Sequence, residues 1–207
     1  MGMRIIWIIM VALVCAEAGF AQSTKEYDKY LSRANYAEGY VLNKDSVRKE
    51  GLIKDGDAKG SSNARKNFIN FVSKRTGKKF KLFPKDLLGY GFYDAQYIST
   101  GKRFLQVIEL GKNVNLYMQV RDRSFLRTPT TSTSTVGFNL NQKTTFFFRK
   151  AGSKEYRKLE TYKFKERFGA YFGDCIFLQA KIYNEELKPR DAEEIARLYN
   201  DCELVKD

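Results

Sequence analysis

Histidine is missing from all 207 residues. That single absence removes the imidazole base of a Ser-His-Asp or Cys-His centre and the commonest nitrogen ligand for zinc. Gly-x-Ser-x-Gly is absent as well. The segment "GYGF" (Gly89–Phe92) lacks the spacing of a nucleotide fingerprint, and no P-loop lysine pattern occurs. Cysteine is scarce, with three in the chain, and tryptophan occurs once. No internal repeat and no clear domain boundary are visible beyond the first residues.

The one long apolar run lies at the start. "MGMRIIWIIMVALVCAEAGFAQ" places Arg4 before the unbroken apolar stretch Ile5–Val14. That stretch has the length of a signal-peptide core and is short for a bilayer span. Gly19-Phe20-Ala21 sets small residues where a signal peptidase reads. The pattern predicts a signal peptide over residues 1–21 and a mature chain from Gln22. An uncleaved anchor is the competing reading. Lipidation at Cys15 is disfavoured by Val14, where such sites carry Gly, Ala or Ser. No later stretch is apolar enough to cross a membrane as a helix. The expected location is therefore outside the cytoplasm of a Gram-negative-type bacterium: periplasmic, outer-membrane-associated or extracellular.

Cleavage would remove Cys15 and Trp7, leaving Cys175 and Cys202. These sit in an echo, "YFGDC" at Tyr171–Cys175 and "LYNDC" at Leu198–Cys202. Zinc would want four ligands, and here there are two sulfurs. A catalytic thiol wants a depressed pKa, which the adjacent Asp174 and Asp201 oppose. An oxidising compartment favours a structural disulfide, Cys175–Cys202, with two separately buried thiols as the alternative. No metal or cofactor is expected.

The period along the chain is that of strands first and helices last. Residues 22–36 read as a polar leader or short helix, with Tyr27, Tyr30, Leu31 and Ala34 at helical spacing. "EGYVLNKDSVRKEGLI" reads as two strands around Asn43-Lys44-Asp45. Asn67–Val72 and Phe80–Phe83 form a hairpin around "KRTGKK". Pro84 opens a single helical turn. Strands follow at Ala95–Thr100, Arg103–Leu110 and Val114–Arg121. In the last, Val114, Leu116, Met118 and Val120 face the core, while Asn115, Tyr117, Gln119 and Arg121 face away. Asp122–Lys143 contains "RTPTTSTST" and predicts a long mobile loop. Thr144–Lys150 and Lys154–Glu160 resume as a hairpin.

From Tyr162 the period becomes helical. Phe164, Phe168, Tyr171 and Phe172 share a face. Asp174 reads as the N-cap of a second helix carrying Ile176, Leu178 and Ile182. Pro189 opens a third, with Asp191, Glu193 and Glu194 in its first turn and Ile195, Leu198, Tyr199 and Cys202 as its buried stripe. The expected fold class is α+β: an antiparallel β-rich region of meander and hairpins over 37–161, then a C-terminal helical cap over 162–207 stapled by the disulfide. The two together are expected to form one domain.

The stretches "GYVLNKDSVRKEGLI" and "FPKDLLGYGF", with the "YFGDC…YNDC" ending, resemble a group of small exported bacterial proteins of unknown function. In that group a "GYI…GDTI.G.I" hairpin precedes a "Y.P.DI.GF" segment. Here the usual Gly-Asp of the first turn is Lys44-Asp45. The resemblance implies fold and location and supplies no catalytic residue.

Charge is the strongest compositional signal, with a formal net charge of +13. Lys74, Arg75, Lys78, Lys79 and Lys81 cluster on one hairpin. Arg121, Arg123 and Arg127 lead into the Thr/Ser loop. Lys154, Arg157, Lys158, Lys163, Lys165 and Arg167 form a third group. Such a charge attracts polyanions at long range; outside the cytoplasm these are lipopolysaccharide, acidic glycans or membrane headgroups. No DNA- or RNA-binding motif is present, and no specific nucleic-acid partner is expected. A generic basic surface that aids solubility is the plainer reading. The acids read as solvated or capping groups, and the adjacent pairs Ser73-Lys74 and Ser153-Lys154 point to opposite faces of a strand. The sequence thus predicts a non-catalytic interaction module for an envelope protein or ligand. The first alternative is a binder of anionic glycan or lipid surfaces through the basic hairpins. The second is an enzyme with carboxylate or tyrosine chemistry.

Overall fold

Among the described residues, apolar–polar alternation produces ten strands, paired antiparallel within each of two groups, and helices follow them. The computed structural model describes residues 25–54, 68–122 and 142–203. The fold is α+β with a disulfide-stapled helical cap, as the sequence pattern predicts. The chain divides into two compact units at Phe104/Leu105. That division falls inside the strand region, so four strands share a unit with the C-terminal helices.

The first unit opens with helix α1 (residues 25–31). Six strands follow: β1 (Tyr36–Asn43), β2 (Arg48–Lys54), β3 (Ile69–Ser73), β4 (Lys79–Leu82), β5 (Leu87–Phe92) and β6 (Ala95–Ser99). Their spatial order is β6-β5-β1-β2-β3-β4. Pro84–Asp86 forms one 3-10 turn between β4 and β5, where Pro84 provides the fixed φ that opens it.

Register explains the two faces of this sheet. Ala37, Val41, Ile53, Ile69, Phe71, Leu87, Tyr90 and Phe92 form one buried cluster, joined by the half-buried Leu82, Tyr97 and Phe104. Tyr36, Leu52 and Val72 face the other way, beneath Tyr27 of α1. The leader therefore packs as a helix through Tyr27 and Tyr30, whereas Leu31 stays exposed. Gly39 and Gly51 stand opposite each other. A Cβ on Gly39 would lie 2.3 Å from the Gly91 carbonyl oxygen, and one on Gly51 2.2 Å from that of Val72. Neighbouring strands press too closely there for any side chain, which requires glycine at both positions.

The second unit holds β7 (Phe104–Leu110), β8 (Val114–Asp122), β9 (Gln142–Lys150) and β10 (Arg157–Lys158), in the order β7-β8-β9-β10. Helices α2 (Phe164–Tyr171), α3 (Ile176–Tyr183) and α4 (Ala192–Asp201) follow. Val114, Leu116 and Phe148 form one core with Phe164, Phe168, Phe172, Leu178, Ile182, Ile195 and Tyr199.

Four local expectations change. First, Tyr117 is 1% exposed, on the strand face expected to meet solvent. Tyr156 packs edge-on against it at 5.4 Å, and the Arg149 guanidinium lies over the Tyr117 ring at 5.6 Å. Second, the strand expected over Lys154–Glu160 shrinks to Arg157–Lys158, because the chain before it turns Tyr156 onto Tyr117. Third, β8 and β9 run on as a ladder to the pair Asp122↔Gln142, which shortens the expected loop at both ends. The rest of that loop, including "RTPTTSTST", lies outside the described residues. Fourth, Cys202 is half-buried at the C-cap of α4, just past the buried stripe.

Candidate ligand-binding cleft

Among the described residues, a clasp among the C-terminal helices and a cleft in the first unit gather polar or open surface. The clasp explains the cysteine echo. Cys175 and Cys202 are bonded, joining the N-cap of α3 to the C-cap of α4. Asp174 is not the N-cap of α3; Cys175 is. The Asp174 carboxylate instead accepts the Tyr199 hydroxyl at 2.6 Å and the Lys150 ammonium at 2.8 and 3.0 Å. A tertiary pair thereby outcompetes a local cap. Lys150 also lies 5.0 Å from the Tyr171 ring centre and 5.2 Å from that of Tyr199.

This trio has the residue types of an acid–base site but not the electrostatics. Burial pushes the Asp174 carboxyl up, but the Lys150 and Tyr199 hydrogen bonds and the Lys150 charge outweigh it and hold the group below its ordinary value. Burial, then the hydrogen bond to Asp174 and its charge, push the Tyr199 hydroxyl well above the tyrosine range. The carboxylate is thus held ionised and the phenol held protonated at neutral pH. Neither is poised to exchange a proton there.

Asn200 completes the clasp, and nothing in the sequence singled it out. Its amide oxygen accepts the backbone N–H of Asn113 at 3.1 Å and of Val114 at 2.9 Å. Its amide nitrogen donates to Glu109 Oε1 at 2.8 Å and the Val114 carbonyl at 3.1 Å. Asn113 in turn donates to the carbonyls of Tyr199 and Cys202 at the end of α4. Gly111 makes room for this: a Cβ there would stand 1.9 Å from the Asn200 amide nitrogen.

The cleft is of another kind. It has a volume of about 890 Å³ and opens where the β1–β2 turn, the β3–β4 turn and the Pro84–Asp86 turn converge. Asn43 shapes the first turn. Its side-chain oxygen accepts the N–H groups of Asp45 and Val47, and Ser46 takes a left-handed φ of 60°. In the second turn the Lys74 N–H donates to the Glu50 carbonyl, and Gly77 takes φ 64°. The apolar lining is Val41, Phe71, Leu82 and Leu87, continuous with the core, plus Val47 and Phe80. Val47 is 51% and Phe80 43% exposed, so the apolar surface reaches the mouth.

The charges around the mouth are unequal in their commitments. Glu50 is taken by Arg48 at 2.7 Å, and Arg48 also covers the Tyr40 ring at 3.8 Å. The Asp86 carboxylate accepts the Phe83 N–H at 3.0 Å. Lys49 pairs across the ladder with Val41 and so shares its face. Among the described residues, neither Lys49 nor Lys74 has a carboxylate at ion-pair distance.

The candidate basic residues fall on several elements of the two units. Lys74 and Arg75 border the cleft. Lys78 is exposed beside them. Lys79 and Lys81 lie on the opposite face of β4, and Lys81 covers the Phe68 ring at 4.1 Å. In the second unit, Arg157 pairs with Glu155 and Lys158 with Glu160. Lys165 pairs with Glu185 and Arg167 with Glu160. Arg121 lies in β8 opposite Lys143. Arg123 and Arg127 lie outside the described residues. Val47, Lys49 and Phe80 escaped notice as site residues, because a cleft between two turns leaves no periodic signal.

Among the described residues, no three Cys, Asp or Glu side chains come together as a metal-binding group. No helix among them is long and apolar enough to cross a membrane. Comparison with protein-family models, curated proteins and solved structures gave no match.

Proposed function

We propose that this protein is an exported, non-catalytic module of the cell envelope that holds a partner or ligand in the cleft of its first unit. One observation carries the reading: apolar side chains at the mouth of an open cleft, beside lysines that lack ion-pair partners among the described residues. Concave, apolar sites with a few convergent polar groups are the usual form of a ligand site. The leader sequence and the disulfide support export, since such bonds persist in oxidising compartments.

The test is capture from envelope extract by the mature chain, with wild type set against the double variant Val47→Asp, Phe80→Asp. A component held by wild type at high salt and lost by the variant supports the reading. Equal capture by both sinks it.

A second reading rests on the outer face of β4. Lys79 and Lys81 are exposed there on an edge strand, beside the turn that holds Lys78. An anionic glycan or lipid surface would meet these cations. Retention on heparin should then fall steeply with salt, and Lys79→Glu, Lys81→Glu should abolish it. Unchanged retention in that variant would remove this alternative.

A further inference from the structure

We infer that the cleft takes a single-chain anionic amphiphile: one apolar chain ending in one acidic group, in the manner of a free fatty acid. The inference rests on the cleft being the binding site and names what fits it.

Size and shape come first. A volume of about 890 Å³ lies within the ~300–1,000 Å³ typical of small-molecule sites. The space continues the buried cluster of Val41, Phe71 and Leu87 outward, past Leu82, to Val47 and Phe80. An apolar chain laid along this lining would cover side chains that now meet water, which is the favourable direction for burial.

Charge then decides the headgroup. The lining carries Arg48, Lys49, Lys74 and Arg75 against Glu50 and Asp86 and is positive on balance; Glu50 is ion-paired with Arg48, and Asp86 keeps its charge while it accepts the Phe83 N–H. Lys49 and Lys74 have no such partner among the described residues. A negative headgroup gains both ammonium groups, whereas a positive one meets them as repulsion. A polymer of many charges would find one small cationic rim and an apolar interior it cannot use. A flat membrane surface would not enter a concavity.

The two faces of β4 provide an internal control. Lys49 and Lys74 belong to the cleft, and Lys79 and Lys81 to the opposite face. Reversing either pair changes net charge equally.

The experiment uses the mature, disulfide-intact protein with 1-anilinonaphthalene-8-sulfonate as fluorescent probe and dodecanoate as competitor, below its micelle concentration. Dodecanoate should displace the probe, and dodecyltrimethylammonium should do so at least tenfold less well. Lys49→Glu, Lys74→Glu should weaken dodecanoate by about tenfold, the scale of two exposed ion pairs made repulsive. Lys79→Glu, Lys81→Glu should leave it within about twofold, and Val47→Asp should weaken it without loss of the folded circular-dichroism spectrum. Equal competition by the cationic chain overturns the inference, as does equal loss in both lysine pairs. Binding to anionic vesicles without binding to dodecanoate overturns it too. If the Val47→Asp, Phe80→Asp variant loses a captured protein while dodecanoate never binds, the ligand class falls and the cleft stands. If capture survives that variant, the cleft itself falls.

Discussion

The Tyr199 hydroxyl donates to Asp174 Oδ2 at 2.6 Å, across 25 residues of sequence, where a helix cap would have used the same carboxylate locally. Removing only that hydroxyl isolates its contribution. Tyr199→Phe keeps the ring on Phe172, at a centroid separation of 4.8 Å. It should lower unfolding free energy by about 1–2 kcal/mol, the range for a hydrogen bond to a charged group that water partly replaces. Asp174→Asn should cost more, because Lys150 then loses its partner. Urea unfolding followed by circular dichroism reads both. A Tyr199→Phe variant as stable as wild type would make the bond irrelevant to stability.

The same pair sets a pH dependence at both ends. Asp174 sits below its ordinary value of 3.8 when folded, so its contribution is present above that value and is lost as pH falls through the folded one. The stability gap between wild type and Asp174→Asn should therefore be full above about pH 5 and close in more acidic solution. Tyr27, Tyr117, Tyr171 and Tyr199 are all raised above 10.0, with burial the leading cause in each. Their contribution is held below pH 10.0 and falls as pH rises further, since the unfolded chain ionises first. Tyr199→Phe should flatten that alkaline loss. Denaturation midpoints at stepped pH values check both limbs.

Gly111 and Asn200 should be coupled. Asn200→Ala orphans the N–H groups of Asn113 and Val114 and should cost about 2–4 kcal/mol. Gly111→Ala drives a methyl group into the Asn200 amide and should also destabilise. In the double variant the clash is gone, so the combined loss should fall short of the sum by at least about 0.5 kcal/mol. Strict additivity in the double-mutant cycle would show that the two sites do not interact.

Reduction of Cys175–Cys202, separated by 27 residues, should cost about 3–4 kcal/mol in the chain-entropy account. Intact mass after alkylation should show no accessible thiol in native protein that begins at Gln22, and two after reduction. Two thiols alkylated without reductant would contradict the bond.

Much of this fold is legible in the sequence, and the residues show why. The β1–β2 and β3–β4 hairpins are local objects, announced by alternation and by Asn, Asp and Gly in their turns. The cysteine pairing is legible from the cysteine count and from the oxidising compartment that the N-terminal pattern predicts. What stayed hidden depends on distant neighbours. Asp174 looks like a cap because its four following residues look like a helix, and only the arrival of Tyr199 and Lys150 redirects it. Tyr117 obeys the alternation and is buried anyway, because Tyr156 covers the second face. Asn200 is an ordinary polar residue until β7–β8 closes around it. The cleft is assembled from Lys49, Lys74 and Phe80, which are joined by no pattern along the chain.

The echo that the cysteines mark has a consequence for how this region can vary in length. Tyr199, Asn200 and Cys202 each hold a different target: Asp174, the Gly111–Val114 turn and Cys175. Each helical residue turns the next by about 100°. One residue inserted or deleted between Tyr199 and Cys202 would swing at least one of the three away from its target while the others stayed engaged. The segment is therefore indivisible in length, and insertions are best tolerated ahead of Pro189, in the exposed Asn184–Glu186 connection.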